Sequence, residues 1–496
     1  MNEIQSSSGV AVSSGHEGYP AVPPYDPGPA YPEYPFSNDY ISDEPNAAYE
    51  GVRDALRLLG LDAARFGSRD WNPLGEIIQP GQTVVLKPNF VREFRETQPG
   101  HGDCTITHGS VIRAVLDYVY IALAGKGRII VADAPQNDAD FDVIRRIAGL
   151  GEIQELYARE AGFQVEVYDL RTERAEKRDG VIVGHRPLPG DPDGYVEVNL
   201  GKLSAFAEIE HLCHLLYGAE YDTRELRSHH KGGLHEYLVS RTVLSADCVI
   251  SIPKLKTHKK TGITVSLKNM VGINGNKNWL PHHREGTPAQ GGDEFADDRL
   301  CHHIERQVVS GFKRAFPWLG PLRRVLAGPA KRLGRSLFGD TNTDAVRSGN
   351  WHGNDTTWRM VLDLNRILLY ADANGTLHDH PVRTVFSVVD GIIGGEGNGP
   401  LDCTPRPAGV VVAGHSPLAV DIVCSSIMGF DSQCLPLLRR GFDAHSLPLG
   451  CTSAADVSVV AGDGVSQETT FRTWNAGDGV HFEPHFGWKA RIGAGT

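Results

Sequence analysis

The segment 251–272 places lysines and a histidine at the point where an apolar run ends. Residues 247–253 predict a buried strand, and Lys254, Lys256 and His258 follow at alternate positions. Alternate residues of an extended segment project to the same side, so these side chains would repel one another unless an anion or facing carboxylates neutralise them. Ligands of open α/β sheets bind beyond the carboxyl ends of the strands. The pattern therefore predicts an anion site.

The residues that follow extend this cluster. Thr264 and Lys268 are four apart, so a helix would place them on one face, and the N–H groups at its start would add affinity for an anion. No carboxylate lies between Asp247 and Glu285, where seven basic residues fall: Lys254, Lys256, Lys259, Lys260, Lys268, Lys277 and Arg284. A solvated lysine face is the alternative interpretation. A second window without carboxylates, 306–339, shows that their absence alone does not mark a site.

Three aspartates are candidates to face the lysines. Asp133 and Asp390 each end a predicted strand, and Asp421 lies among apolar residues of a predicted helix. A buried carboxylate needs a partner, and a lysine of the cluster is the obvious candidate. The acids would hold a metal, poise a lysine or neutralise it. We expect Asp133, Asp390 and His282 as divalent-metal ligands, with chance pairing among 21 histidines as the alternative.

A glycine-rich stretch, 391–400, follows the strand that ends at Asp390. Its glycines, Gly395 and Gly397 among them, would let the backbone approach a ligand and present N–H groups to an anion. The spacing matches neither a Walker loop nor the Gly-x-Gly-x-x-Gly fingerprint. A flexible loop without a ligand is the alternative.

Composition restricts the class of protein. The chain has 496 residues and a formal net charge of -12, which argues against a nucleic-acid partner. None of its eight cysteines forms a Cys-x-x-Cys pair, so an iron–sulfur cluster has no support. The first residues lack the pattern of a signal peptide, and no apolar run reaches the length of a membrane span. We expect a cytoplasmic protein.

The order of predicted elements indicates an α/β fold. Strand–helix–strand–helix–strand within 82–169 is typical of a parallel sheet covered by helices. We expect two Rossmann-like lobes with mainly parallel sheets, and a hairpin that joins 181–183 to 195–198. The expected units are a disordered Pro/Tyr-rich tail at 1–48, a first lobe at 49–200, a connecting segment at 201–241 and a second lobe at 242–496 with a basic insertion at about 306–355.

That insertion contains basic residues interleaved with Trp, Phe and Leu over 306–338. A segment of this composition can lie on an anionic membrane surface, and we expect peripheral membrane contact through it. The alternative is an ordinary excursion that packs on the body of the protein.

Several motifs, in this order, resemble a known family. They are Lys87-Pro-Asn89, Pro253-Lys-Leu-Lys-Thr-His258 with Thr264, Leu267-Lys-Asn269, Val389-Asp-Gly391 and Pro417-Leu-Ala-Val-Asp421. Together they resemble the bacterial and archaeal domain-of-unknown-function family 362 over roughly residues 80–465. The resemblance implies that the lysine cluster, Thr264, Asn269, Asp390 and Asp421 form one site. Some relatives carry a ferredoxin-like iron–sulfur module. This chain has no clustered cysteines that would hold such a cluster.

The leading functional hypothesis is an enzyme of unassigned reaction that acts on a phosphorylated or carboxylated small molecule. The candidate catalytic residues are His258, Lys256 and Asp421. Lys254, Lys256 and Lys268 would hold the anion, His258 would transfer a proton, and Asp390 or Asp421 would orient a lysine or a metal. A lysine surrounded by cations would also have a lowered pKa and would be able to act as a base or a Schiff-base nucleophile. The residues expected to bind the ligand are Lys87, Asn89, Lys254, Thr257, Thr264, Lys268, Asn269, Gly395 and Gly397. The alternative is a non-catalytic binding protein that docks to a membrane or an assembly through 306–338.

Overall fold

The computed structural model describes a large part of the chain. The described residues are 8–93, 101–178, 181–219, 222–299, 302, 311, 345–462, 467–471 and 480–492. The segment 306–338, expected to contact membranes, lies outside them except for residue 311, so this expectation stays a prediction. Within the described residues, no helix combines the length and the apolarity that crossing a bilayer requires.

Seventeen strands are defined. They are β1 (Gly9–Ser14), β2 (Thr83–Pro88), β3 (Arg128–Asp133), β4 (Val165–Asp169), β5 (Glu173–Arg178), β6 (Val181–Pro187), β7 (Tyr195–Asn199), β8 (Leu216–Tyr217), β9 (Glu236–Ser240), β10 (Cys248–Ile252), β11 (Lys254–His258), β12 (Gly262–Thr264), β13 (His283–Arg284), β14 (Thr384–Asn398), β15 (Asp402–Gly414), β16 (Ser458–Gly462) and β17 (Gln467–Thr470), counted over the described ranges.

The α-helices of the same ranges are α1 (Ala47–Leu58), α2 (His101–Thr105), α3 (Gly109–Leu123), α4 (Phe141–Ile147), α5 (Leu150–Ala161), α6 (Arg224–His229), α7 (Arg241–Ser245), α8 (Ser266–Asn269), α9 (Thr357–Tyr370), α10 (Pro417–Ile427), α11 (Pro436–Gly441) and α12 (Lys489–Ile492). A 3₁₀ helix, Ala205–Leu215, is kinked at Ile209 and leads into β8.

One 11-stranded sheet organises the molecule, in the order β17-β16-β1-β15-β14-β10-β2-β3-β4, with β11 and β12 attached through β14. The strands from β14 to β4 in this order run parallel to one another, whereas β15 is antiparallel to both of its neighbours. This mixed, mostly parallel sheet with helices on both faces confirms the predicted α/β class.

Alternation along the strands divides the core into two layers. Val85, Ile130 and Val249 belong to the layer that contains α9 and α10. Their neighbours Val84 and Ile129 belong to the layer with α1 and α3. Successive side chains of a strand point to opposite faces, so each buried strand contributes to both layers. Strand β10 is buried at all five positions, as expected for a central parallel strand.

The division into lobes and tail differs from the expectation. Strands expected in separate lobes share the sheet, because β10 pairs with β2 on one side and β14 on the other. The tail prediction does not hold for residues 9–14, which form β1 between β15 and β16. Val10, Ala11 and Val12 are buried there, and this apolar triplet outweighs the Pro-rich composition around it.

Two local predictions are also corrected. The expected hairpin between 181–183 and 195–198 is absent from the described strands, because β6 pairs with β5 and β7 pairs with β9. The glycine-rich stretch belongs mostly to β14, which forms a long antiparallel hairpin with β15 up to the pair Asn398 and Asp402. The hairpin needs a small residue at position 394, because a Cβ there would lie 2.6 Å from the ring of Phe482.

Candidate functional site

A cavity of about 370 Å³ lies beyond the carboxyl ends of β2 and β3 and is covered by the segment 258–283. Its wall is strongly cationic. The described lysines that line it are Lys87, Lys177, Lys259, Lys260, Lys268 and Lys277. Asp133 is the one carboxylate among the described lining residues, and His258, His282 and His283 complete the set of titratable groups there apart from Tyr217.

The floor of the cavity is a closed network around Asn269. Lys87 Nζ lies 2.7 Å from Asp133 Oδ1 and donates to Asn269 Oδ1 at 3.1 Å. Asn269 Nδ2 in turn donates to Lys87 O and to Ser251 Oγ. Gly272 packs so closely that a Cβ there would lie 1.9 Å from Asp133 Oδ1. Lys87 is neutralised by this network, and its role is to shape the floor.

Asp421 fixes the short helix that carries Asn269 and Lys268. Its Oδ1 accepts from Ser266 N at 2.7 Å and its Oδ2 from Leu267 N at 3.1 Å, so the carboxylate caps the first turn of α8. Burial raises the pKa of Asp421 to about 8, and the two N–H bonds oppose that rise. The expected lysine partner is not found among the described residues. Asp421 is therefore a positioning residue, away from the cavity wall.

Lys268 is the cation that this helix presents to the cavity. Among the described residues, its Nζ has neither a hydrogen-bond partner nor an ion-pair partner, although the side chain is only partly exposed. Burial, with the charges of Lys256 and Lys87, lowers the pKa of Lys268 from 10.5 to about 8. Such a group gains most from a bound anion, because an anion supplies the charge that the protein does not.

Lys260 and Lys277 add charge to the same wall. Lys260 Nζ donates to the carbonyl oxygens of Ser348 and His282, and Lys277 Nζ to those of Asn274 and Val271. These carbonyls orient the ammonium groups without neutralising them. Burial lowers the pKa of both lysines to about 7, with Lys259 contributing further at Lys260.

Two of the cavity histidines, His258 and His282, are neutral. Burial, followed by the charge of Lys268, lowers the pKa of His258 well below 6.5. Its Nδ1 accepts from the N–H groups of Lys260 and Thr261, which leaves Nε2 as the N–H donor of the ring. His282 has a pKa lowered to about 3 by burial, and its Nδ1 bonds to Leu280 O. A neutral His258 can donate a hydrogen bond to a ligand.

Lys254 does not reach the cavity. Its Nζ lies 2.8 Å from Asp390 Oδ2 and 2.9 Å from the hydroxyl of Tyr19, and both members of the ion pair are fully buried. Asp390 also accepts from Tyr19 at 2.5 Å and from His108 N at 2.9 Å. The charges of this pair are matched by each other and by hydrogen bonds within the protein. Lys254 is therefore not available to bind a ligand, contrary to the expectation from the sequence.

Lys256 and Thr264 face each other on neighbouring strands, β11 and β12, so Thr264 is not on the expected helix. Lys256 Nζ donates to Thr105 O, and Thr264 Oγ1 is buried without a partner among the described residues. Burial lowers the pKa of Lys256 to about 8. Neither residue lines the cavity. The charge of Lys256 nevertheless lowers the pKa of Lys268, which does line it.

Gly395, Gly397 and Thr257 form part of the sheet. Thr257 Oγ1 donates to Gly397 O at 2.9 Å, and Gly395 pairs with Lys256 across the strands. Gly395 pairs with Pro405 across the hairpin and Gly397 N donates to Glu483 O, so the expected anion nest is not formed. Of the glycine-rich stretch 391–400, Pro400 at the hairpin turn lines the cavity.

The expected metal ligands do not converge. Asp133 pairs with Lys87 and Asp390 pairs with Lys254, so a lysine neutralises each carboxylate. Within the described residues, these two aspartates and His282 do not form a group of metal ligands. Asp390 has the lysine partner expected from the cluster, whereas the partner of Asp133 is Lys87, outside the cluster.

Four lining lysines were not among the predicted site residues. Lys259, Lys260 and Lys277 lie inside the window without carboxylates, so giving that window more weight would have included them. Lys177 comes from β5 and pairs with Asp138 at 3.1 Å, and its mixed-charge surroundings in the sequence carry no signal.

Comparison with known protein families supports the resemblance that the motifs indicated. A family model described as Domain of unknown function (DUF362) matches residues 178–426, half of the chain. The chain belongs to this family. The family 362 match contains Lys268, His258 and Asp421, whereas Lys87 and Asp133 lie N-terminal to it.

Other comparisons add little to family 362 membership. No curated protein matches the chain. A crystal structure of a Thermotoga maritima protein, a structural genomics target, is similar at 11% sequence identity with a TM-score of 0.30. The match covers 75% of this chain and 58% of that one, so the chain matches little more than half of that protein's length.

Proposed function

We propose that the cavity binds a phosphorylated or carboxylated small molecule and that the protein is an enzyme acting on it. The observation that carries this proposal is the environment of Lys268. Its ammonium group has other lysines around it in the cavity wall and no partner among the described residues. Like charges held together in a partly buried site repel one another, and each lowers the pKa of its neighbours. An anion relieves that repulsion, which gives binding its driving force.

The size and the polar atoms of the cavity favour a metabolite over a polymer. About 370 Å³ lies in the range of small-molecule pockets. Asn89 Nδ2 donates to Asn269 Oδ1 at 3.3 Å, while Asn89 Oδ1 is buried without a donor among the described residues. A hydroxyl of the ligand would satisfy that oxygen. The preferred ligand therefore combines an anionic group with a hydroxyl group.

The charge states suggest how the site would act. Lys268, Lys260 and Lys277 would hold the anion, and the N–H at Nε2 of His258 would donate to it. Because the pKa of Lys268 is lowered to about 8, part of its population is a free amine near neutral pH. That amine could remove a proton or form a Schiff base with a carbonyl substrate. In this proposal Lys268 takes the proton-transfer role expected for His258.

Isothermal titration with inorganic phosphate and with malonate tests the binding site. We expect one site per chain in the unmodified protein, and a loss of about tenfold or more in affinity for Lys268→Met, because a charge-assisted hydrogen bond contributes about 1.5–3 kcal/mol. Lys126→Met, an exposed lysine, is the matched control and should bind normally. Equal affinities in the two variants would contradict the proposal.

Turnover requires a second experiment. Phosphorylated and hydroxycarboxylic metabolites that stabilise the protein against heat would be incubated with it and analysed by mass spectrometry. We expect a chemically changed product from the unmodified protein and from Lys126→Met, and none from Lys268→Met. Recovery of every stabilising ligand unchanged would support a non-catalytic binding protein instead.

A further inference from the structure

Three potential metal ligands converge away from the lysine cavity. Glu210 and Cys213 lie three residues apart on the 3₁₀ helix Ala205–Leu215, where this spacing places side chains on one side. His235 directly precedes β9. A carboxylate oxygen of Glu210, the Sγ of Cys213 and a ring nitrogen of His235 lie within 4.8 Å of one another.

The polar atoms of this group have few partners within the protein. His235 has no exposed surface, and neither of its ring nitrogens has a well-formed hydrogen bond among the described residues. Its Nε2 lies 3.0 Å from Glu210 Oε2, the distance of an ion pair, and Cys213 Sγ has only a long contact, 3.7 Å, with Ile209 O. A buried polar group without a full set of hydrogen bonds is costly. Three such donor atoms in one place are suited to a shared ligand.

The surrounding contacts hold the three side chains in place. Gly233 N donates to Glu210 Oε1 at 3.1 Å, which leaves Oε2 directed at the histidine. The backbone of His235 is fixed on both sides, because His235 N donates to Asn199 Oδ1 and Leu200 N donates to His235 O. Phe206 lies against the imidazole ring, with centroids 5.9 Å apart.

We propose that Glu210, Cys213 and His235 bind a zinc ion, with the fourth position open to water. Sulfur, nitrogen and carboxylate oxygen are the donors that zinc takes in tetrahedral sites, whereas Ca²⁺ and Mg²⁺ require oxygen donors. One thiolate and one carboxylate balance the charge of a divalent ion. Glu210 is 36% exposed, which provides an entry path. The proposal does not depend on the function proposed for the cavity.

The position of this site gives the metal a structural consequence. The 3₁₀ helix runs directly into β8, and Tyr217 at the end of β8 lines the lysine cavity. His235 leads into β9 on the other side of the ion. A bound zinc ion would join these two segments and brace one wall of the cavity.

Cobalt binding to the full chain, stripped of metal with a chelator, tests the site. We expect one equivalent of Co²⁺ with a thiolate-to-cobalt charge-transfer band in the near ultraviolet, which Zn²⁺ removes by displacement. Cys213→Ser should lose the band. Cys434→Ser, a cysteine that is not in the group, should keep it. Circular dichroism of the metal-free variants confirms that each is folded.

Glu210→Gln provides an independent test, because the side chain is partly exposed and its loss should not unfold the protein. We expect the thiolate band to remain and the affinity for Co²⁺ to fall at least tenfold. A band that persists in Cys213→Ser, or no band in the unmodified protein, would overturn the assignment. An unchanged affinity in Glu210→Gln would remove the carboxylate from the ligand set and overturn the three-residue site.

Discussion

Lys254 and Lys268 belong to one basic segment of the sequence, but they occupy opposite kinds of environment. Lys254 is fully buried and bonded to Asp390 and to the hydroxyl of Tyr19. Lys268 faces the cavity and has no such partner among the residues described. Burial of charge therefore does not identify a binding site. The missing partner does, because it leaves an interaction that a ligand can complete.

The energetics of the two lysines should differ accordingly. Removing one member of a buried ion pair leaves an uncompensated charge in the interior, which is strongly destabilising. Removing a cation that already repels its neighbours relieves strain. The same substitution at the two positions should therefore separate stability from binding, and the predictions below probe this contrast.

The largest effect is expected for Lys254→Met. This change leaves Asp390 buried with only Tyr19 and the N–H of His108, and the free energy of unfolding should fall by about 3–5 kcal/mol. Urea denaturation followed by circular dichroism measures the loss. Lys268→Met is the matched control, with an expected change below about 1 kcal/mol. Similar losses in both variants would remove the distinction between the two lysines.

Gly272→Ala tests the packing of the cavity floor. The added methyl group would lie 1.9 Å from Asp133 Oδ1 and 2.6 Å from Lys87 Nζ, so the ion pair must move. We expect a loss of about 1–3 kcal/mol in unfolding free energy, together with weaker phosphate binding. Gly151→Ala, where a Cβ meets nothing within 4 Å on a helix, should keep or raise stability. If Gly272→Ala leaves the free energy of unfolding unchanged, the cavity floor is not tightly packed at this position.

Asp421→Asn tests the helix cap that orients Lys268. The amide can accept from only one of the two N–H groups that the carboxylate binds, so we expect a loss of about 1–2 kcal/mol in stability. Phosphate affinity should fall several-fold, because Lys268 loses its fixed position. Asp379→Asn, whose side chain is 98% exposed, should change neither quantity. If phosphate affinity survives intact, Asp421 does not position the site.

The most gradual effect concerns pH. The pKa of Lys260 and of Lys277 is lowered to about 7 and that of Lys268 to about 8, all chiefly by burial. The ammonium charges that would bind an anion are therefore lost as pH rises through this window. Sulfate affinity, measured by titration calorimetry, should fall by more than about tenfold between about pH 6.5 and 9, with a shallower fall in Lys268→Met. An affinity independent of pH would show that these lysines do not bind the anion.

The sequence identified local features well. The apolar run before the lysines is strand β10, and alternation correctly predicted the strand β11 that follows it. Asp421 lies on the predicted helix, and Lys87 contacts Asn269 as their placement in one cleft required. These features depend on the period of side chains along one element, which the sequence displays directly.

Partnerships between distant elements could not be read in this way. Alternation placed Lys254 and His258 on one side of a strand, but it does not tell which of them meets a carboxylate. Tyr19, which completes the Lys254 pair, comes from a Pro-rich stretch that composition marks as disordered. The glycines of 394–399 suggested a loop, whereas the long pairing of β14 with β15 makes them part of a sheet.

The most direct test of the central claim is the reactivity of Lys268 itself. Acetylation of the folded protein across a series of pH values, read residue by residue by mass spectrometry, reports the free-amine fraction of each lysine. We expect Lys268 to react with a midpoint near its lowered pKa of about 8, well below the ordinary lysine value of about 10.4, and to be protected by sulfate. A midpoint at the ordinary lysine value, with no protection, would contradict an unpartnered lysine in an anion site.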